Sequence, residues 1–78
     1  MWVGGYVEVL GSKIFYTAKV YDKPSKYGIN QGRISKLFCG INNTEILSYD
    51  RGWDITVEKS PYPGLAAEAL KQILEKYA

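Results

Sequence analysis

The stretch WVGGYVEVLGSKIFYTAKVY, residues 2–21, decides the fold. Two runs rich in β-branched and aromatic residues flank Gly11-Ser12. Glycine at the first turn position favours a two-residue type II′ hairpin. The register this turn predicts pairs Val9 with Ile14, Val7 with Tyr16, Gly5 with Ala18 and Val3 with Val20. Paired residues share a face of a sheet, so these eight form one apolar side. The other side then holds Trp2 with Tyr21, Gly4 with Lys19, Tyr6 with Thr17 and Glu8 with Phe15.

Working outward, residues 22–32 read DKPSKYGINQG, and Pro24, Gly28 and Gly32 mark them as a loop. Residues 33–41 and 44–50 read as two more strands joined at Asn42-Asn43, a pair that tolerates positive φ and suits a type I′ turn. This hairpin predicts Ile41 with Thr44, Cys39 with Ile46 and Leu37 with Ser48 on one face. Phe38 with Leu47, Lys36 with Tyr49 and Ile34 with Arg51 then take the other. Gly52 marks a turn or bulge, after which Trp53, Ile55 and Val57 alternate again. Ser60-Pro61 has the form of an N-cap followed by a first-turn proline, although Pro63-Gly64 moves the expected start toward Leu65. Ala66, Ala69, Leu70, Ile73, Leu74 and Tyr77 recur at helical spacing. The chain is thus expected to be one α+β domain, residues 1–78. It should be a four-stranded antiparallel β-sheet of two hairpins, open to extension by residues 54–57, with one C-terminal α-helix packed on one face.

Composition narrows the function. Histidine is absent, which removes the commonest general base and metal ligand. A single cysteine, Cys39, permits no intrachain disulfide and with no histidine beside it makes no zinc site. No apolar run approaches the ~20 residues of a membrane span, and no signal-peptide pattern opens the chain. A cytoplasmic protein is expected. Ten basic and eight acidic residues are too balanced to establish a nucleic-acid binder. Seven tyrosines, two tryptophans and two phenylalanines supply the apolar-bodied, polar-tipped side chains that suit binding surfaces.

Three features are candidates for function. The first is apolarity on both sheet faces, since the side away from the helix still carries Trp2, Tyr6, Phe15, Tyr21, Phe38, Leu47 and Tyr49. Either the 22–32 loop covers it with Tyr27 and Ile29, or another subunit does; the residues leave both open. The second is YGINQGRISKL, residues 27–37, whose glycines expose backbone N–H groups beside Arg33, as an anion site requires. A plain turn with Arg33 paired to Asp22 is the simpler reading. The third is YDRGWD, residues 49–54. Asp50 and Asp54 could hold Mg²⁺ or exchange protons. No nucleophile, base and oxyanion donor accompany them, so no catalytic residue is expected. Cys39, mid-strand on the inner face, reads as a small hydrophobe.

YGINQGRISKLF and YDRGWDI resemble a family of small uncharacterised proteins of Gram-positive bacteria and their phages. The resemblance runs from about Tyr6 to Tyr77, with Phe38 standing where the family pattern suggests Trp. It implies a phage or mobile-element setting and no established activity. It also singles out Tyr27, Gly28, Gly32, Arg33, Asp50, Arg51, Gly52, Trp53 and Asp54 for testing.

The leading expectation is a non-catalytic, homo-oligomeric binding module that sequesters or blocks a host factor. Its specific form is a sponge for an anionic, nucleotide-like signal bound by Tyr27, Arg33, Tyr49, Asp50, Arg51, Trp53 and Asp54. The predicted opposition of Ile34 and Arg51 brings these residues together. Aromatic rings would stack on a base and arginines would hold phosphate. No metal or cofactor is called for. The alternative is nucleic-acid binding through sheet aromatics and Lys13, Lys19, Lys23, Lys26 and Lys36.

Overall fold

The structure, a computed structural model, describes residues Met1–Ala78. Five strands run in chain order across one antiparallel sheet: β1 (Trp2–Val9), β2 (Ser12–Val20), β3 (Ile34–Ile41), β4 (Thr44–Asp50) and β5 (Trp53–Ile55). A single helix, α1 (Pro63–Lys76), follows. The sheet has one strand more than the four expected. Trp53–Ile55 pairs with β4, placing Ser48 opposite Ile55 and Tyr49 opposite Trp53. Val57, expected to continue that alternation, lies in a turn and packs against the core.

The first hairpin turns one residue earlier than expected, which shifts its pairing register by two. Val9 pairs with Ser12 and Val7 with Ile14, so Leu10-Gly11 forms the turn. Both residues take positive φ, 51° and 81°, which makes it a type I′ rather than a type II′ turn. The shift is even, so each side chain keeps its face. Val7, Val9, Ile14, Tyr16, Ala18 and Val20 are all buried on the helix side.

The second hairpin turns at Asn42-Asn43 with φ of 50° and 62°, as its sequence predicts. Beyond Gly40 a bulge changes the pairing: Cys39 lies opposite Leu47 and Leu37 opposite Tyr49. This displaces the expected partners Ile46 and Ser48. One extra residue reverses every side chain after it. Leu47 and Tyr49, assigned from the sequence to the outer face, are therefore buried in the core. A second bulge near Ser35 does the same to Ile34, which lies opposite Val20 and is buried. The expected Ile34–Arg51 opposition does not form; instead the Arg51 N–H donates to the Ser35 carbonyl at 3.0 Å.

The helix begins at Pro63, with Tyr62 at the cap position and no side-chain cap. Ser60 is not the N-cap. Its Oγ accepts from the Tyr62 N–H at 3.1 Å and closes a local turn just before the helix. Ala66, Ala69 and Ile73 are buried, flanked by half-buried Leu65, Leu70, Leu74 and Tyr77. Two small alanines let the helix lie close to the sheet. The Tyr16 and Tyr77 hydroxyls, 2.7 Å apart, and a 3.0 Å bond from Gln72 Nε2 to the Glu8 carbonyl tie helix to strands.

The 22–32 loop folds toward the helix side. Ile29 joins the core cluster, and Ile29, Leu74 and Tyr77 line one hollow. Gly28 is required there, because a Cβ at this position would collide with the Gly32 carbonyl. No helix is long and apolar enough to cross a membrane.

Candidate ligand-binding face

With Ile29 committed to the core, the loop does not cover the second side of the sheet. Strand pairing places Trp2, Tyr6, Glu8, Lys13, Phe15, Thr17, Lys19, Lys36, Phe38 and Glu45 on that side. Trp2 is 54% exposed, Tyr6 48% and Phe15 59%. These are large aromatic areas to leave in water on one face. The Tyr6 and Phe15 rings lie 5.9 Å apart, tilted at 56°. Lys13 Nζ stands 4.7 Å from the Tyr6 ring centre and Lys19 Nζ 5.5 Å from that of Tyr21, within cation–π range. Gly40, opposite Phe15, carries no side chain and leaves a hollow bordered by Phe15 and Phe38. The face combines flat π-surfaces with ammonium groups, the pairing that base stacking and phosphate tracking use.

Charge along this face is uneven. Lys19 and Lys36 pair across β2 and β3 at one end. The only ion pair in the structure joins Lys36 to Asp50 at 3.6 Å, and both groups are partly open to water. Such a pair contributes little to stability. Arg51 stands nearby without an acidic partner. The Tyr21 phenol lies below the ordinary tyrosine range. Lys19 is the main cause, then the neighbouring Ser35 hydroxyl, with Arg51 adding to the effect.

The residues singled out from the sequence are only partly gathered. Arg33 faces the helix end, with Nε donating to the Tyr21 carbonyl at 2.8 Å and a terminal nitrogen donating to the Ala78 carbonyl at 3.1 Å. Those bonds give it a structural task. Tyr49 is buried; its hydroxyl donates to the Tyr27 carbonyl at 2.7 Å and its ring meets Trp53 edge-on at 5.0 Å. Asp50 holds Lys36, and Asp54 is exposed. Tyr27 and Arg51 do meet, lining one pocket with Tyr21, Ser25 and Ser35. Arg33 and Arg51 belong to different pockets. Sequence reasoning named the bare-face aromatics as a surface, yet it missed Tyr21 and Ser35 as neighbours of Arg51. The bulge at Ser35 creates that neighbourhood, and no residue pattern announces it.

Cys39 is buried, and its thiol is pushed up to about 12 by burial first and by Glu45 second. A thiol so held is neutral and unreactive at physiological pH. No group of three or more Cys, Asp or Glu side chains converges as metal ligands would.

The class these features define is a small α+β domain whose antiparallel sheet is covered by one helix and bare on its aromatic, lysine-bearing side. The chain belongs to the DUF7678 family, a domain of unknown function whose model matches residues 1–78. No curated protein and no solved structure matches it.

Proposed function

We propose that this chain is a non-catalytic binding module that sequesters its ligand on the bare sheet face, and that the ligand is single-stranded nucleic acid. The observation that carries this reading is the exposure of Trp2, Tyr6 and Phe15 among Lys13, Lys19 and Lys36 on one face. Bases stack on aromatic rings without regard to sequence, and lysines follow the backbone. A homo-oligomer is better formed through β1, whose outer edge has no strand partner. The resemblance of YGINQGRISKLF and YDRGWDI to proteins of Gram-positive bacteria and their phages supports a sequestering role in a phage or mobile-element setting, inside the cytoplasm.

The test is a fluorescence-anisotropy titration of a labelled oligothymidylate at several salt concentrations. Three phosphate contacts predict a log–log salt slope of roughly −2. Losing one stacking ring in Tyr6→Ala or Phe15→Ala should cost about 1–3 kcal/mol of binding. No binding at low salt, or binding that both substitutions leave unchanged, refutes the reading. In that event, light scattering that shows a dimer would leave a protein-directed blocker as the surviving function.

A further inference from the structure

At the end of the bare face, where β2 runs out, Tyr21, Ser25, Tyr27, Ser35 and Arg51 line a pocket of about 330 Å³. Ser35 is 3% exposed, and its Oγ makes no hydrogen bond. It lies close to the Tyr21 hydroxyl without meeting hydrogen-bond geometry to it. A buried hydroxyl with no partner is costly and rare in a native fold, and calls for an explanation. The bulge that turns Ile34 into the core leaves Ser35 as the extra residue.

Arg51 is the second anomaly. It holds φ of 58°, a left-handed conformation that asparagine or glycine would adopt more readily. Its N–H donates to the Ser35 carbonyl, which fixes the turn against the pocket. No carboxylate pairs with its guanidinium. Asp50, the adjacent acid, is engaged with Lys36. Two more cations stand at the rim: Lys19 Nζ lies 5.5 Å from the Tyr21 ring centre and Lys26 Nζ 5.2 Å from that of Tyr27. The pocket thus gathers cations and hydroxyl donors and holds no acidic lining residue.

We propose that this pocket is an oxyanion site for a phosphate monoester, with Arg51 and Lys19 supplying charge and the Ser35 and Tyr21 hydroxyls supplying neutral hydrogen bonds. A monoester near neutral pH approaches two negative charges and presents three terminal oxygens. Two cations and two hydroxyls match that demand, whereas an internal phosphodiester carries a single charge. The guanidinium fork suits two of the oxygens at once. Ser35 gains the partner it otherwise lacks. The site deepens the sheet-face reading, because a strand lying across Tyr6 and Phe15 could end here on its terminal phosphate. It is also separable from that reading, because free phosphate engages the pocket alone.

The experiment is an amide NMR titration with inorganic phosphate on the full chain, repeated on Arg51→Ala, Ser35→Ala and the distant control Lys71→Ala. The expected result is saturable shifts centred on Tyr21, Ser35 and Arg51, unchanged in the control. Binding should weaken roughly ten- to a hundredfold in Arg51→Ala and less in Ser35→Ala. Ser35→Ala is also expected to melt no lower than wild type, since it deletes an unpaired buried hydroxyl; a purely structural serine would melt lower. Shifts spread over all surface lysines, or equal affinity in Arg51→Ala, would overturn the site. A 5′-phosphorylated oligothymidylate and its 5′-hydroxyl twin then distinguish the source of the phosphate. Tighter binding of the phosphorylated strand assigns the pocket to a nucleic-acid end. Phosphate binding without any oligonucleotide binding keeps the pocket, assigns it to a free small phosphate ester, and removes the sheet-face reading alone.

Discussion

Cys39 shows how one side chain can carry a pH dependence. Its thiol ionises near 9.0 in an unstructured chain and near 12 in the fold, because burial disfavours the thiolate and Glu45 adds a like charge. A raised pKa contributes stability below the unfolded value and loses it as pH climbs toward the folded one. The window is therefore pH 9 to 12. Across it the wild type should lose up to about 1.4 kcal/mol per pH unit more than Cys39→Ala does. Urea melts of both proteins through that range check this, and parallel curves would contradict it. At neutral pH the native thiol should resist a disulfide reagent that labels it fully in denaturant. Gly28 is a residue-scale constraint of another kind. Its Cβ would strike the Gly32 carbonyl. Gly28→Ala must open the 22–32 loop and withdraw Ile29 from the core, lowering the melting temperature and raising protease cleavage within residues 22–32.

At the scale of elements, the β4 bulge has the largest consequence. Because Ile46 is an added residue, Leu47 and Tyr49 turn inward to join Ile14, Leu37 and Ile73. Deleting Ile46 should restore unbroken alternation with Leu47 still opposite Cys39 and Tyr49 still opposite Leu37, so both stay inward and the core loses the Ile46 side chain alone. That is one large buried side chain, worth about 1.5–3 kcal/mol. A domain of this size has little stability to lose, so the deletion should lower the denaturation midpoint by circular dichroism while the transition stays cooperative; loss of all cooperativity would contradict this register. The helix is held by packing more than by caps. Ile73 is fully buried between α1 and the sheet, and Ile73→Ala should cost about 2–5 kcal/mol. Tyr77→Phe removes one hydroxyl and strands that of Tyr16, which is buried, so a loss of about 1–3 kcal/mol is expected. A chemical-denaturation series would rank the two, with Ile73→Ala the larger.

For the molecule as a whole, one helix for five strands leaves an asymmetry. The helix seals one face with small alanines and branched aliphatics, while the other keeps its rings in water. The β1 edge has no strand partner along its eight residues, although Gln72 takes the Glu8 carbonyl, and it is longer than the three-residue β5 edge opposite. If homo-oligomers form, they should extend the sheet through β1 and leave Trp2, Tyr6 and Phe15 available. Light scattering should then give the same oligomer for wild type and Phe15→Ala, with only the former binding oligothymidylate tightly. A Phe15→Ala protein that dissociates would place the face itself in the interface.

Period-two alternation, the double-asparagine turn and the helical stripe are local signals, carried by side-chain chemistry within a few residues. They made legible the first four strands, the helix and the inward set Val7, Val9, Ile14, Tyr16, Ala18 and Val20. Even a misplaced first turn kept those faces, because moving the turn by one residue shifted the register by two. Bulges have no comparable signature, since they are set by how strands pack against a third element. Ile34, Leu47 and Tyr49 consequently ended on the face opposite to the one their spacing indicates. The same holds for the candidate sites. Local sequence placed Tyr27 and Arg51 in short motifs, but tertiary bonds sent Arg33 to the helix end and brought Ser35 and Tyr21 to Arg51, with Lys19 beside Tyr21. Sequence spacing determines which face a side chain takes only while the register holds, and the packed core decides where the register breaks.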